Sequence, residues 1–209
     1  MPRNSSINPN DLFDLIRREG PVSATKLARE FDVNRTTVVR ALAGILERDE
    51  IFSIGATRST RYLARRDVLG CGNSWPIFRV DGSGRPIKWA TLQAVHDRKW
   101  HIDWIGSAPD WAPSLVDDES GLSPGFPFFL ADLRPQGFLG RILAGNVSRF
   151  LQVPENPQHW SDDHTLLFLQ AAGEDLIGDF AIGDACLQRI LEGGSTDKIE
   201  LTSADRAER

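Results

Sequence analysis

The sequence predicts an α+β protein in two parts: a basic head of three short helices and a β-hairpin, then an acidic body of mixed strands and helices. Charge is the first observation behind this. Residues 1–66 hold 12 Lys and Arg against 8 Asp and Glu, a net of +4, and residues 67–209 hold 12 against 21, a net of −9. The overall −5 therefore averages two opposed halves, and such asymmetry marks a head that meets nucleic acid. Periodicity is the second: apolar residues of the head recur at helical spacing between capping residues, whereas the body alternates between strand-like and helix-like runs. Composition is the third. At 41% hydrophobic and 25% charged over 209 residues, the chain can bury a sizeable core, which disfavours disorder and a disulfide-stapled miniprotein.

In the head, Asn10 is placed to cap a helix over Asp11 to Arg18 that turns Leu12, Leu15 and Ile16 to one side, and Gly20-Pro21 ends it. Ser23 caps a second helix, Ala24 to Phe31, with Leu27, Ala28 and Phe31 facing the first. A tight turn, Asp32-Val33-Asn34, leads to a third helix from Arg35 to about Arg48, in which Val38, Val39, Leu42, Ile45 and Leu46 are expected inward. Ile51 to Ile54 then reads as a strand, Gly55-Ala56-Thr57 as a turn and Ser59 to Leu63 as a returning strand.

The segment SATKLAREFDVNRTTVVRALAGIL with its hairpin resembles the winged helix-turn-helix of bacterial transcription regulators, over about residues 10 to 65. The resemblance implies a double-stranded DNA partner. With the third helix as recognition helix, Arg35, Thr36, Thr37 and Arg40 meet the major groove. Arg35 and Arg40 suit either a fork onto guanine or a hold on phosphate. At the hairpin tip, Arg58, Ser59, Thr60 and Arg61 suit phosphate oxygens or a minor groove, and Arg65 and Arg66 extend that surface. No acidic residue lies between Asn34 and Glu47, which separates this helix from a solvated, charge-balanced face.

Residues 67–75, DVLGCGNSW, lack periodicity and read as a linker, residues 76–192 as the body and residues 193–209 as a polar tail. In the body, Ile77 to Val80 forms a strand, Asp81-Gly82-Ser83-Gly84 a hairpin turn, Pro86 to about Val95 either a returning strand or a helix start, and Trp100 to Ile105 another strand. Five of the six tryptophans fall between Trp75 and Trp111, serving either a core or a partner surface. After PFFLADLRPQG, a single stripe of Phe138, Leu139, Ile142, Leu143, Val147, Phe150 and Leu151 reads as a core helix. Further helices begin at Ser161, ending at Gly173, and near Asp184, with Leu187, Ile190 and Leu191 inward.

Two segments, FPFFLADLRPQGFLGRILA and WSDDHTLLFLQAAGEDLIGDFAIGD, resemble the N-terminal subdomain of HipA-like serine/threonine kinases, the toxins of toxin-antitoxin systems. Phe128, Phe129, Leu133, Pro135 and Gly137 match the phenylalanine-rich segment that opens a helix in that family, and Gly173, Asp175, Ile177 and Gly178 match a later "G.D.IG" segment. One branch of the family carries a winged helix ahead of this subdomain. The resemblance implies a docking partner, either a HipA-like kinase chain or a second copy in a homodimer.

Kinase chemistry itself is not expected here. No phosphate-cradling glycine loop leads into a helix, and none of Lys26, Lys88, Lys99 and Lys198 is set for phosphate contacts. No catalytic residue, cofactor or metal ligand is therefore assigned. His159 and His164 are five apart, unlike a helical zinc pair, and Ser161-Asp162-Asp163 suits a helix cap. Asp117-Asp118-Glu119 reads as a solvated loop. Cys71 and Cys186 have no zinc-type spacing and read as reduced thiols. With no apolar leader and no apolar run near membrane-spanning length, a cytoplasmic protein away from membranes is expected.

Overall fold

A computed structural model describes residues 7–117, 120–173 and 179–192. Its element order is α1 (Pro9–Glu19), α2 (Ala24–Glu30), α3 (Arg35–Glu47), β1 (Ile51–Ile54), β2 (Arg61–Ala64), β3 (Ser74–Val80), β4 (Pro86–Val95), β5 (Lys99–Trp104), α4 (Phe128–Ala131), α5 (Gly137–Leu151), α6 (Asp162–Ala172), β6 (Phe180–Ile182) and α7 (Asp184–Leu191). The fold is α+β, with a two-stranded sheet β1-β2 and a four-stranded sheet ordered β5-β4-β3-β6. The chain forms two compact units. The first contains residues up to Asn73 with Gln93–His101 and Val116–Pro124, and the second contains Ser74–Leu92, Ile102–Leu115 and the chain from Gly125 onward.

In the first unit, α1 begins at Pro9 with Asn8 as its cap, two residues earlier than the sequence suggests. The Asn8 side chain accepts a hydrogen bond from Asn10 N at 3.0 Å, and proline at the first helical position already holds the φ that a helix needs. Ser23 and Asn34 cap α2 and α3 as expected, Ser23 Oγ accepting from Lys26 N at 3.2 Å and Asn34 Oδ1 from Thr37 N at 2.8 Å. The core that joins the helices comprises Leu12, Ile16, Leu27, Val38, Leu42, Ile45 and Ile51, all essentially inaccessible. The expectation for α3 needs correction: Val38, Leu42 and Ile45 point inward, but Val39 is 44% exposed and Leu46 37%. The buried set follows an i, i+4, i+7 row, and residues 39 and 46 lie on the adjacent row, which no neighbouring element covers fully.

The β1-β2 hairpin is antiparallel, pairing Ile51 with Ala64 and Ile54 with Arg61. Its return begins two residues later than expected, since Thr57–Ser59 forms a 3-10 turn. Gly55 is required there. Its φ is +74°, and a Cβ would lie 2.7 Å from Ser59 O. Residues 67–73 are closely organised, the Asp67 carboxylate accepting from Gly70 N and Gly72 N at 2.6 and 3.1 Å while Val68 is buried.

In the second unit, Pro86–Val95 resolves as a strand, joined to β3 by a turn in which Asp81 Oδ1 accepts from Ser83 N and Arg85 N. β3 pairs antiparallel with β6, Ile77 opposite Ile182. α6 is buried almost all round through Thr165, Leu166, Phe168, Leu169 and Ala172. Ser161 caps it reciprocally: Ser161 Oγ accepts from His164 N at 3.3 Å, and His164 Nδ1 accepts from Ser161 N at 3.2 Å, so this imidazole is committed to the cap. In α7 it is Cys186 that is buried, while Leu191, expected inward, is half exposed. Cys71 is exposed and not disulfide-linked to Cys186. Asp118, Glu119, Asp175, Ile177, Gly178 and the tail from Gly193 lie outside the described residues.

Tryptophan serves burial and aromatic packing. Trp75 and Trp100 are buried, and Trp89, Trp104 and Trp111 pack edge-on with one another and edge-on or tilted against Phe129, with centroids 4.7 to 6.3 Å apart.

The largest departure concerns α5. Most of the expected core stripe is turned outward: Phe138 is 70% exposed, Leu139 77% and Phe150 75%, with Ile142 half exposed, while Leu143 and Leu151 are partly buried and only Val147 of the stripe is fully buried. The face that packs inward is built from Gly140, Ala144, Val147 and Ser148. Small residues at i, i+4 and i+8 let the α5 backbone approach its neighbours closely. At Gly140 a Cβ would stand 2.6 Å from the Pro135 carbonyl carbon.

Candidate nucleic-acid interface

The outward face of α3 begins with its cap. Asn34 Oδ1 also accepts from the Thr37 hydroxyl at 2.9 Å, so Thr37, partly buried, holds the helix start rather than presenting a free hydroxyl. Arg35, Thr36 and Arg40 are exposed, and Thr36 and Arg40 stand one helical turn apart on one face. Val39 and Ala43 share that face. Sequence reasoning assigned Val39 to the core. The signal that would have placed it outside is the clean spacing of residues 38, 42 and 45, which leaves no inward row for residue 39.

Three cations of the same unit are compensated. Lys26 and Arg18 pair with Glu19 at 2.8 and 3.1 Å, and Arg48 pairs with Glu50 at 2.9 Å. The paired Lys26 and Arg18 hold the Glu19 carboxyl below its ordinary pKa. Arg35 and Arg40 form no ion pair among the described residues, so their charge is available to an external anion.

At the hairpin tip, Ser59 and Thr60 shape the turn. Ser59 Oγ donates to Ala56 O at 2.8 Å and accepts from Ala56 N at 3.2 Å, and Thr60 Oγ1 donates to Thr57 O at 3.0 Å, so neither hydroxyl proton is left for an outside acceptor. Arg61 is exposed at the start of β2. The Arg58 side chain lies outside the described residues. Arg65 and Arg66 do not extend this surface. Arg65 donates to Gln93 Oε1 at 2.7 Å, lies 3.1 Å from the Asp49 carboxylate and stacks over Phe52, and Arg66 donates to Val95 O at 3.3 Å and stacks over Trp100. Both arginines brace the unit internally.

His96 lies on the same unit. Partial burial depresses its pKa below the usual 6.5, and the positive charges of Arg17 and Arg66 act in the same direction against a smaller opposing effect of Asp97 and a hydrogen bond to the Arg65 backbone.

Comparison with known proteins adds the family. The chain is 28% identical over 180 residues to Toxin YjjJ of Escherichia coli (strain K12), an alignment that takes in 86% of this chain and 37% of that toxin's length. No solved structure matches the chain. Residues 71–191, more than half of the chain, match the family described as the YjjJ-like toxin, middle domain, and the chain therefore belongs to the YjjJ-like toxins.

Proposed function

We propose that the chain is a DNA-binding transcription regulator linked to a toxin-antitoxin system, with a winged helix-turn-helix at its N-terminus and a HipA-like, non-catalytic domain after it. The observation that carries this reading is the outward face of α3, where Arg35, Thr36 and Arg40 stand exposed and neither arginine is neutralised among the described residues. Such a face suits phosphates and the acceptor edge of guanine, and the methyls of Val39 and Ala43 suit thymine. Arg58 and Arg61 at the hairpin tip supply backbone contacts, on a turn that Ser59 and Thr60 shape.

Regulation works by occupancy: the basic head faces DNA, and the acidic body is repelled by it. Pairing of two copies would match recognition helices to a palindromic site. The exposed apolar face of α5, with Phe138, Leu139, Ile142 and Phe150, supports a docking role, its occupant being a HipA-like kinase chain. The chain functions in the cytoplasm and needs no cofactor.

Gel-shift titration of the full chain against genomic fragments tests the reading. Binding should weaken steeply from 50 to 200 mM salt, by roughly tenfold or more as phosphate contacts release counterions. Arg35→Ala and Arg40→Ala should each cost about 1–3 kcal/mol of binding. Salt-independent binding, or binding by the two variants as tight as that of the unaltered chain, overturns it.

A second reading is favoured by one observation: the alignment spans 37% of Toxin YjjJ. In this reading the chain is the N-terminal portion of a HipA-like serine/threonine kinase that acts only with its remaining lobe. Addition of that lobe should then restore phosphoryl transfer that the chain alone lacks, and autophosphorylation by the chain alone would contradict both readings.

A further inference from the structure

A cleft of about 360 Å³ opens in the second unit where the Pro135-Gln136-Gly137 turn meets residues 156–158. That size falls within the ~300–1,000 Å³ of small-molecule sites. Its polar lining consists of Arg134, Arg141, Gln136, Asn156 and Gln158, and no carboxylate lines it. In a body that carries −9 overall, a cleft lined by two cations and three carboxamides runs against the local charge trend.

The two guanidiniums are held differently. Arg134 is anchored from behind: its Nε donates to Thr165 Oγ1 at 2.8 Å, and its terminal nitrogen lies 3.5 Å from Asp162. The remaining N–H groups of its planar fork are left for the cleft. Arg141 is exposed and has no ion pair among the described residues, so its charge is uncompensated. It lies in the first turns of α5, a 15-residue helix whose cap residue Gln136 makes no side-chain capping hydrogen bond. The first amides of that helix are therefore open to an anion, with the positive end of the helix dipole behind them. Asn156 Oδ1 accepts from Gln158 N at 3.0 Å, which fixes that carboxamide and leaves its NH2 as a donor. Gly137 at φ +69° and the contact between Gly140 and Pro135 fold the turn back onto the helix start and so shape the wall.

We propose that this cleft binds a phosphate monoester of a small metabolite, with Arg134, Arg141 and the α5 amides on the phosphoryl oxygens and the carboxamides of Gln136, Asn156 and Gln158 on the organic part. Two arginine forks and a row of amides offer more donors than a planar carboxylate can accept, which matches a tetrahedral dianion. The site is independent of the DNA-binding face.

Titration calorimetry of the full chain at low ionic strength, with inorganic phosphate and with a nucleoside monophosphate, tests the assignment. Both should bind, and Arg141→Gln should weaken both by about tenfold or more, as expected on losing a charge-assisted hydrogen bond. Arg149→Gln, which removes the same charge from the same helix outside the cleft, should change binding less than twofold. Tighter binding of the nucleotide, lost in Asn156→Ala while phosphate binding persists, supports an ester as the ligand, and equal affinities, which would mean free phosphate, overturn it. Amide shifts in a 15N spectrum should centre on Gly137 and Phe138, and an Arg35→Ala chain should bind phosphate normally. No binding of either probe, equal weakening in Arg141→Gln and Arg149→Gln, or shifts elsewhere in the molecule would overturn the proposal.

Discussion

Helices α3 and α5 both carry large apolar residues at helical spacing, and they bury opposite kinds. α3 turns Val38, Leu42 and Ile45 into the core of the first unit, whereas α5 turns Gly140, Ala144 and Ser148 inward and leaves Phe138, Leu139 and Phe150 outside. The difference shows that periodicity identifies a stripe without saying which side of the helix the core lies on. A helix that packs at close range needs small residues at its contact, and its bulky stripe is then free to face something else. The exposed faces differ in kind as well: that of α3 is headed by arginines with no ion pair among the described residues, and that of α5 is an apolar surface of the sort that marks an interaction site.

The sharpest test of this contrast replaces one residue from each stripe. Leu42→Ala should destabilise the chain by about 2–5 kcal/mol through transfer and cavity costs. Phe150→Ala, three-quarters exposed, should stay within about 0.5 kcal/mol in urea unfolding. A large loss at Phe150 would mean that the outward face of α5 is packed in solution.

Smaller in effect, but specific to α5, is a pair of glycine substitutions. Gly140→Ala places a methyl 2.6 Å from the Pro135 backbone and should cost roughly 1–3 kcal/mol. Gly145→Ala, with nothing within 4 Å of the new carbon, should stabilise by about 0.4–1 kcal/mol. Equal effects at the two positions would break the argument for close packing.

The smallest effect is the pH response of the first unit. Because the folded state holds the His96 pKa below 6.5, the unfolded chain takes the proton first as pH falls. His96 therefore favours the fold fully above pH 6.5, and that stability is lost as the pH drops through 6.5 toward the folded value. Melting curves between pH 7.5 and 5.5 should show this decline, and His96→Gln should flatten it.

Much of the first unit is legible residue by residue, because its signals are local. Ser23 and Asn34 cap the helices assigned to them, since a side chain three residues from an open amide needs no tertiary partner to find it. The same holds for Ser161, which begins α6. Arg35, Thr36 and Arg40 also project outward as expected, because the buried row of α3 dictates the opposite row. Val39 was misassigned because β-branched apolar residues at adjacent positions cannot both lie on a narrow contact. Arg65 and Arg66 were misassigned because Gln93, Val95 and Trp100, which engage them, are distant in sequence. The cleft beside α5 gave no sequence signal at all, since its donors come from two segments whose spacing follows no motif.

By itself the sequence determined the α+β class, the starts of α2 and α3, the charge division at residue 66 and the inward places of Val38, Leu42 and Ile45, all consequences of periodicity, capping and composition. Only the tertiary structure decided that β4 is a strand, that α5 faces outward with its bulky residues, which arginines are held internally and which remain open, and where two cations converge on a cleft. Those outcomes depend on which surfaces approach one another, and the approach distance is set by partners far away along the chain.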